Sequence, residues 1–278
     1  MHTKFRSDFD LFASSVSLEG GARLKGIAKI VEENYPLVTI ITATYNAVNL
    51  LPRTITSVRE LTYKNIEWIV VDGNSSDETL NLIRQNEDVI DYWISETDGG
   101  IYEAWNKGAV AARGIWIAFL GAGDTYNSES IAAYIDAIQK ASITPDLVSS
   151  RVQLVTDDGV ILREWGDRFD WNAFKKYMNI AHVGALHHRR LFEKFGYFDT
   201  AYKSSSDYDF LMRCGAELET LHVSKVTAKM LVGGISNGYQ GIKETYNIQR
   251  KYGAGAAAKV RYWIACTKRF IRPLLRNY

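Results

Sequence analysis

From Leu37 onward, short apolar runs of strand length alternate with amphipathic segments of helix length, and this alternation restricts the fold more than any other feature of the chain. Strands read at Val38–Ala43, Glu67–Val71, Tyr92–Ser95 and Ile115–Leu120, with helices near Leu50–Glu60 and over Asp77–Gln85, Ile101–Ala112 and Ser128–Lys140. Such spacing predicts a mainly parallel sheet covered by helices on both faces. After Pro145 the pattern changes. Leu147–Val155 and Val160–Trp165 read as strands around the turn Thr156-Asp157-Asp158-Gly159, followed by a strand through His182–His188 and helices at Arg190–Phe195 and Asp207–Cys214. Residues 1–36 lie ahead of the first strand as an extension, with a helix expected near Leu24–Glu33.

A chain of 278 residues can bury one substantial α/β core, so one domain with an appendage is expected rather than two equal domains. No run approaches the roughly 20 apolar residues of a membrane span, and Met1–Asp10 lack the apolar centre of a signal peptide. A cytoplasmic placement follows as the expectation. Cys214 and Cys266 have no metal-ligand spacing and cannot build a disulfide framework, so both are expected reduced, with Cys214 packed on a helix. The net charge of +1 hides an asymmetry: residues 245–278 carry eight Lys and Arg and no acid, which leaves the rest at −7. A basic tail of this kind implies an anionic partner of its own.

Chemistry is expected where strands end. The run Gly114-Ile115-Trp116-Ile117-Ala118-Phe119-Leu120-Gly121-Ala122-Gly123-Asp124 delivers one carboxylate to the tip of a buried strand, the side on which open α/β sheets bind ligands. The loop Thr42-Ala43-Thr44-Tyr45-Asn46 after the first strand has no glycine fingerprint, which argues against a nicotinamide dinucleotide. Val71-Asp72-Gly73-Asn74-Ser75-Ser76-Asp77-Glu78-Thr79 follows the second strand, with Ser76 or Asp77 suited to cap the next helix. Ser95-Glu96-Thr97-Asp98-Gly99-Gly100-Ile101-Tyr102-Glu103-Ala104-Trp105-Asn106-Lys107-Gly108 runs from a loop into a helix whose N-terminus can face an anion.

Four such motifs in this order resemble the family 2 glycosyltransferases of the GT-A fold, over residues 37–235. The resemblance implies a GT-A catalytic domain at 37–238, a mainly parallel nucleotide-binding sheet flanked by helices, with a C-terminal helical basic segment at 239–278. It implies an inverting transfer of a sugar from a nucleotide-diphosphate donor, a UDP-sugar first, to a hydroxyl of a glycan or lipid-linked glycan in cell-surface polysaccharide biosynthesis. By resemblance, Ala43 and Tyr45 contact base and ribose, and Asp98, Gly99, Gly100 and Ser236 complete the donor site. Asp72 joins them, although the second acid that many members place after it is Gly73 here, which leaves GDP- and dTDP-sugars open.

Asp124 holds the last position of the family's metal-binding acidic motif, with Ala122 and Gly123 before it. A single Asp suffices for Mn²⁺ or Mg²⁺, since such an ion takes its other ligands from phosphates and water. His182 is a further metal or phosphate contact by resemblance. In Ser204-Ser205-Ser206-Asp207-Tyr208-Asp209, Asp207 matches the general base of the family. From the residues alone, Asp98 also reads as a helix N-cap, three serines before Asp207 as a helix start, Lys107 as a solvated helix residue or a phosphate contact, and Gly233-Gly234-Ile235-Ser236 as a plain turn.

The competing readings are a nucleotidyltransferase, disfavoured by the loop after the first strand, and a catalytically degenerate carbohydrate-binding or scaffolding protein, prompted by the reduced acidic motif. No nucleic-acid partner is expected. In the tail, Val260, Trp263, Ile264, Phe270, Ile271, Leu274 and Leu275 recur at helical spacing with most basic residues opposite, and Pro273 should end or kink that helix. Such a helix either lies on an anionic membrane surface, at the inner face of the cell membrane, or packs on the catalytic domain.

Overall fold

The computed structural model describes residues 17–27, 29, 32, 35–233 and 238–275, with side chains to residue 267. The described elements are β1 (Leu18–Gly20), β2 (Val38–Thr44), α1 (Leu51–Arg59), β3 (Ile66–Asp72), α2 (Thr79–Gln85), β4 (Tyr92–Ser95), α3 (Ile101–Ala111), β5 (Trp116–Phe119) and β6 (Thr125–Tyr126). They continue with α4 (Ser130–Gln139), β7 (Leu147–Val155), β8 (Ile161–Trp165), α5 (Trp171–Phe174), β9 (Ala185–His188), α6 (Arg190–Phe195), α7 (Ser206–Cys214), β10 (Thr220–Leu231), α8 (Tyr239–Lys251) and α9 (Gly255–Leu275).

The strands form one mixed sheet in the order β1-β4-β3-β2-β5-β9-β7-β10-β6, with β8 as a hairpin on β7. Strands β4, β3, β2 and β5 are parallel, and β9 enters antiparallel between β5 and β7. The central strands are apolar throughout because both faces are covered: every residue of β3 is buried. Alternation then divides their side chains between two cores. Ile41, Ile69, Val71, Ile117 and Phe119 meet α3, α6 and α7 on one face. Ile40, Trp68, Val70, Ala118 and Leu120 meet α1, α2 and α4 on the other. Gly108 lets α3 ride directly on β2, since a Cβ there would come within 2.3 Å of Ile41 Cγ2.

Three expectations are corrected. The extension does not begin a helix at Leu24: Ala22–Lys25 form a single 3-10 turn that Gly26 ends in the left-handed region, φ 82°. Instead β1 pairs antiparallel with β4 at the sheet edge. Arg23 bonds the Ala111 carbonyl at 2.8 Å, and Tyr92 donates to Glu19 at 2.7 Å. The strand expected from His182 begins only at Ala185, because His182–Gly184 form a 3-10 turn. Finally, α2 starts at Thr79, two residues after Asp77. The Asp77 carboxylate accepts the Thr79 and Val48 amides at 3.0 and 3.2 Å and so ties the helix start to the loop after β2.

The twelve-residue β10 was not expected from the sequence. Its mixed residues Thr220-Leu221-His222-Val223-Ser224-Lys225-Val226 lack a clear alternation, and it is defined by parallel pairing with β7. Helix α9 continues past Pro273 to Leu275. Cys214 is buried on α7, as expected. No described helix is long and apolar enough to cross a membrane.

Candidate active site

The parallel strands bring the sequence motifs to one edge of the sheet. Ala43, Thr44 and Tyr45 emerge from β2, and the loop after β3 is laced to them: Asn46 N–H donates to Ser75 Oγ at 2.8 Å, and Ser76 N–H donates to Asn46 Oδ1 at 2.9 Å. Asp72 serves this lacing. Its carboxylate accepts Ser75 N–H at 3.0 Å and Ser95 Oγ at 2.6 Å, and the residue is wholly buried away from solvent.

Beside it, Asp98 takes Gly100 N–H at 2.8 Å on Oδ1. Its Oδ2 lies 3.1 Å from where a Cβ on Gly73 would stand, next to the Tyr45 ring. Burial raises the Asp98 acid, against the hydrogen bond from Gly100. Asp98 is not the helix cap, since α3 opens after Gly100, whose φ of 126° suits glycine. Under this loop Lys107 is buried and paired with Glu96 at 2.7 Å and Glu103 at 3.3 Å, while Glu103 also accepts Gly99 N–H at 2.9 Å. Lys107 is therefore neither solvated nor a free phosphate contact.

Asp124 follows β5 in a turn that Thr54 of α1 clamps from both sides: Gly123 N–H donates to Thr54 Oγ1 at 2.9 Å, and that hydroxyl donates to the Asp124 carbonyl at 2.8 Å. Asp124 Oδ1 accepts Leu231 N–H from the end of β10 at 2.8 Å. Burial pushes its acid up to about 7 despite that bond, so a positive charge nearby would be needed to hold it fully ionised at neutral pH. No cluster of three or more His, Cys, Asp or Glu suited to a metal occurs among the described residues. The chemistry of the donor set still fits a hard divalent cation that takes one carboxylate oxygen here and its other ligands from a substrate.

Across the cleft, Asp207 lies in the first turn of α7. Its Oδ1 accepts Tyr102 Oη and the Tyr208 amide, both at 3.0 Å. Burial pushes the acid up to about 6, while the Tyr102 hydrogen bond pulls it down. Asp209, two residues on, is unavailable: it is buried between Arg213 at 3.2 Å and Lys251 at 2.9 Å. The loop before α7 is fixed by the buried Glu244, which accepts Lys203 and Ser204 N–H at 2.9 and 2.8 Å. Lys203 Nζ reaches the Gly99 carbonyl at 2.7 Å, linking the Asp207 loop to the Asp98 loop.

His182 stacks on Phe119, ring centres 5.1 Å apart and planes at 22°, beside Trp105 at 4.9 Å. Burial lowers its pKa to about 3, so the imidazole is neutral.

A cleft of about 810 Å³ joins these groups: Ala43, Tyr45, Asp124, His182 and Asp207 all line it. Asp72, Asp98, Gly99 and Gly100 do not line it, Asp72 being buried and Asp98 half-buried beside Tyr45, and Ser236 lies outside the described residues. Six lining residues have a buried polar atom without a hydrogen-bond partner among the described residues: Thr44 Oγ1, Trp105 Nε1, Trp165 Nε1, His182 Nε2, Ser204 Oγ and Arg261 Nε. A polar ligand in the cleft would supply partners for these atoms. Sequence reasoning missed Tyr102, Trp165, Lys203, Glu244 and Arg261. Only Tyr102 and Trp105, three apart on one helix face, left a signal to find.

The sequence profile described as "Glycosyl transferase family 2" matches residues 39–195. A "PGL/p-HBAD biosynthesis glycosyltransferase" of Mycobacterium bovis (strain BCG / Pasteur 1173P2) is 32% identical over 210 residues, covering 73% of this chain and 80% of the relative. An "Uncharacterized glycosyltransferase" of Rickettsia prowazekii is 31% identical over 182 residues, covering 63% of this chain and 57% of its own. Among solved structures, S. aureus TarS 1-349 in complex with UDP-GlcNAc superposes with a TM-score of 0.60 at 18% identity. That match covers 78% of this chain and 65% of TarS 1-349, just under two thirds of its length. The mannosyltransferase PcManGT from Pyrobaculum calidifontis, in complex with GDP-Man and Mn²⁺, superposes with a TM-score of 0.59 at 16% identity, covering 89% and 72%. At these identities the two structures speak to the fold alone.

Proposed function

The chain belongs to glycosyl transferase family 2 and is a glycosyltransferase, and from that premise we propose an inverting transfer from a nucleotide-diphosphate sugar, a UDP-sugar first, to a hydroxyl of a glycan or lipid-linked glycan. The observation that carries this reading is a cleft with unpartnered hydrogen-bond donors in its walls and two carboxylates, Asp124 and Asp207, as its acids. A displacement with inversion needs one base near the acceptor hydroxyl and no second carboxylate nucleophile. Asp207 suits that role: Oδ1 is occupied by Tyr102 and the Tyr208 amide, which leaves Oδ2 to take the proton.

In this reading the donor lies along the ends of β2 and β5, with Ala43 and Tyr45 against base and ribose. Asp98 offers a carboxylate oxygen beside Tyr45 in the space above Gly73, and Gly99 and Gly100 permit close approach of the backbone. Asp72 contributes by holding the loop after β3 in place. Ser236 is retained as a donor contact by resemblance alone. Asp124 would hold Mn²⁺ or Mg²⁺ with its second oxygen, with His182 a neutral contact to metal or phosphate. A divalent ion bound there supplies Lewis-acid neutralisation of the departing diphosphate. That solved proteins of this fold hold UDP-GlcNAc and GDP-Man, the latter with Mn²⁺, supports a nucleotide-sugar donor and a divalent ion.

The outer face of α9 exposes Val260, Trp263 and Ile264 in the basic stretch of the chain. This supports peripheral contact with an anionic membrane surface at the cytoplasmic face, where a lipid-linked acceptor would be met.

A thermal-shift series with UDP, GDP, dTDP and CMP, with and without Mn²⁺, tests the donor reading. Ligand at 100 times its Kd should stabilise the protein by roughly 2.7 kcal/mol. Asp124→Ala should abolish turnover and the metal dependence of nucleotide binding. Metal-dependent transfer surviving in that variant would overturn the assignment.

A further inference from the structure

In the donor reading above, only the half of the cleft at the ends of β2 and β5 is used. The lining of the other half comes from β8, the segment after α5, α8 and α9, and its charge is of one sign. Arg261 Nη2 donates to Gln249 Oε1 at 3.2 Å, and Gln249 in turn donates to the Lys176 carbonyl at 2.7 Å. This chain seats the guanidinium over the segment after α5. Neither Arg261 nor Lys176 has a carboxylate partner among the described residues, and Arg261 Nε is buried with no acceptor. Trp165 Nε1 is a second buried donor without a partner in the same wall. Tyr177, 54% exposed, adds an aromatic face suited to a sugar ring.

The two acids of the cleft bond other groups: Asp124 is held by Thr54 and Leu231, and Asp207 by Tyr102, whereas Arg261 bonds Gln249 and Gln249 bonds the segment after α5. A buried guanidinium edge with no countercharge is costly unless a ligand brings one, and its planar donors match phosphate or carboxylate oxygens.

We propose that this half of the cleft is an acceptor subsite for a sugar bearing an anionic group, phosphate or carboxylate, which Arg261 binds with help from Lys176. The proposal rests on the glycosyltransferase reading above. It narrows the acceptor to an acidic sugar or a sugar phosphate, and it makes α9 part of the substrate site as well as a surface helix.

The test is isothermal titration of the full chain held at saturating UDP and Mn²⁺, with glucose 1-phosphate, glucuronic acid and methyl glucoside as probes. At least one anionic sugar should bind at least about 10-fold more tightly than methyl glucoside, and which one does identifies the group as phosphate or carboxylate. Arg261→Gln should remove that preference while UDP still binds. Arg261→Lys should restore only part of it, because an ammonium keeps the charge without the planar fork. If Arg261→Gln fails to fold, Lys176→Gln should weaken the same preference. Equal binding of the three sugars, an undiminished preference in the variants, or no binding of either anionic sugar beside bound UDP would overturn the subsite. Failure of UDP itself to bind would overturn the UDP-donor reading rather than the subsite, which the same titration tests beside whichever of GDP, dTDP or CMP binds instead.

Discussion

Asp207 and Asp124 are both carboxylates raised by burial, and they differ in what surrounds them. A tyrosine hydroxyl and a backbone amide leave Asp207 an acid pushed up to about 6. As the proposed base it must be ionised, so at saturating divalent metal, which keeps Asp124 ionised, kcat/KM should fall as pH drops below about 6 and level off above it. Tyr102→Phe removes a hydrogen bond that favours the ionised form, so the acid limb of that profile should move to higher pH. Asp207→Asn should lower kcat by about 10²- to 10⁴-fold with donor affinity kept. Collapse of donor binding in a folded Asp207→Asn protein would move the residue to the donor site. At this scale the resemblance singled out Asp207, but the residues alone read equally as a helix start; the packed structure turns Asp209 towards Arg213 and Lys251 and leaves Asp207 on the cleft. Lys107 shows the same limit in reverse. Two acids distant from it or one turn away on the same helix enclose a residue that sequence spacing placed equally well in solvent.

Helix α3 links the donor loop to the base. One end carries the Asp98 loop through Glu103 and the buried Lys107, its first turn offers Tyr102 to Asp207, and Gly108 seats it against Ile41. Lys107→Ala would leave Glu96 buried without its cation, a change that costs about 3–5 kcal/mol when a buried pair is broken. Chemical denaturation should report that loss, and nucleotide affinity measured below the transition should fall as well, because the loop that Lys107 supports carries Asp98. Unchanged stability would mean that the buried pair contributes nothing net. Helix α3 was legible from its helical period, and β2 and β3 from the continuous apolar runs that burial on both faces imposes. By contrast, β10 was not, because its partly exposed, lysine-bearing residues carry little period and its existence depends on β7 offering a free edge.

In the whole molecule, α9 has one face on the cleft and one exposed, so its amphipathic pattern is divided between packing and surface. Ala258, Arg261, Tyr262 and Ala265 line the cleft, while Val260, Trp263 and Ile264 remain exposed on the outer face. Removing residues 256–278 should therefore release the protein from anionic liposomes, spare hydrolysis of the donor and strongly reduce transfer to acceptor. Unchanged liposome binding would remove the membrane contact, and unchanged transfer would remove α9 from the substrate site. The sequence by itself determined the α/β class, the run of parallel strands and the loops that follow them. Those follow from local periodicity and from where a strand must end. Only the tertiary structure decided that Asp72 is consumed in holding its loop, that β1 closes the sheet edge, and that Arg261 shares a cleft with Asp124. These depend on which distant segments meet, and the energy of a hydrogen bond or buried charge is set by its partners rather than by its neighbours in the chain.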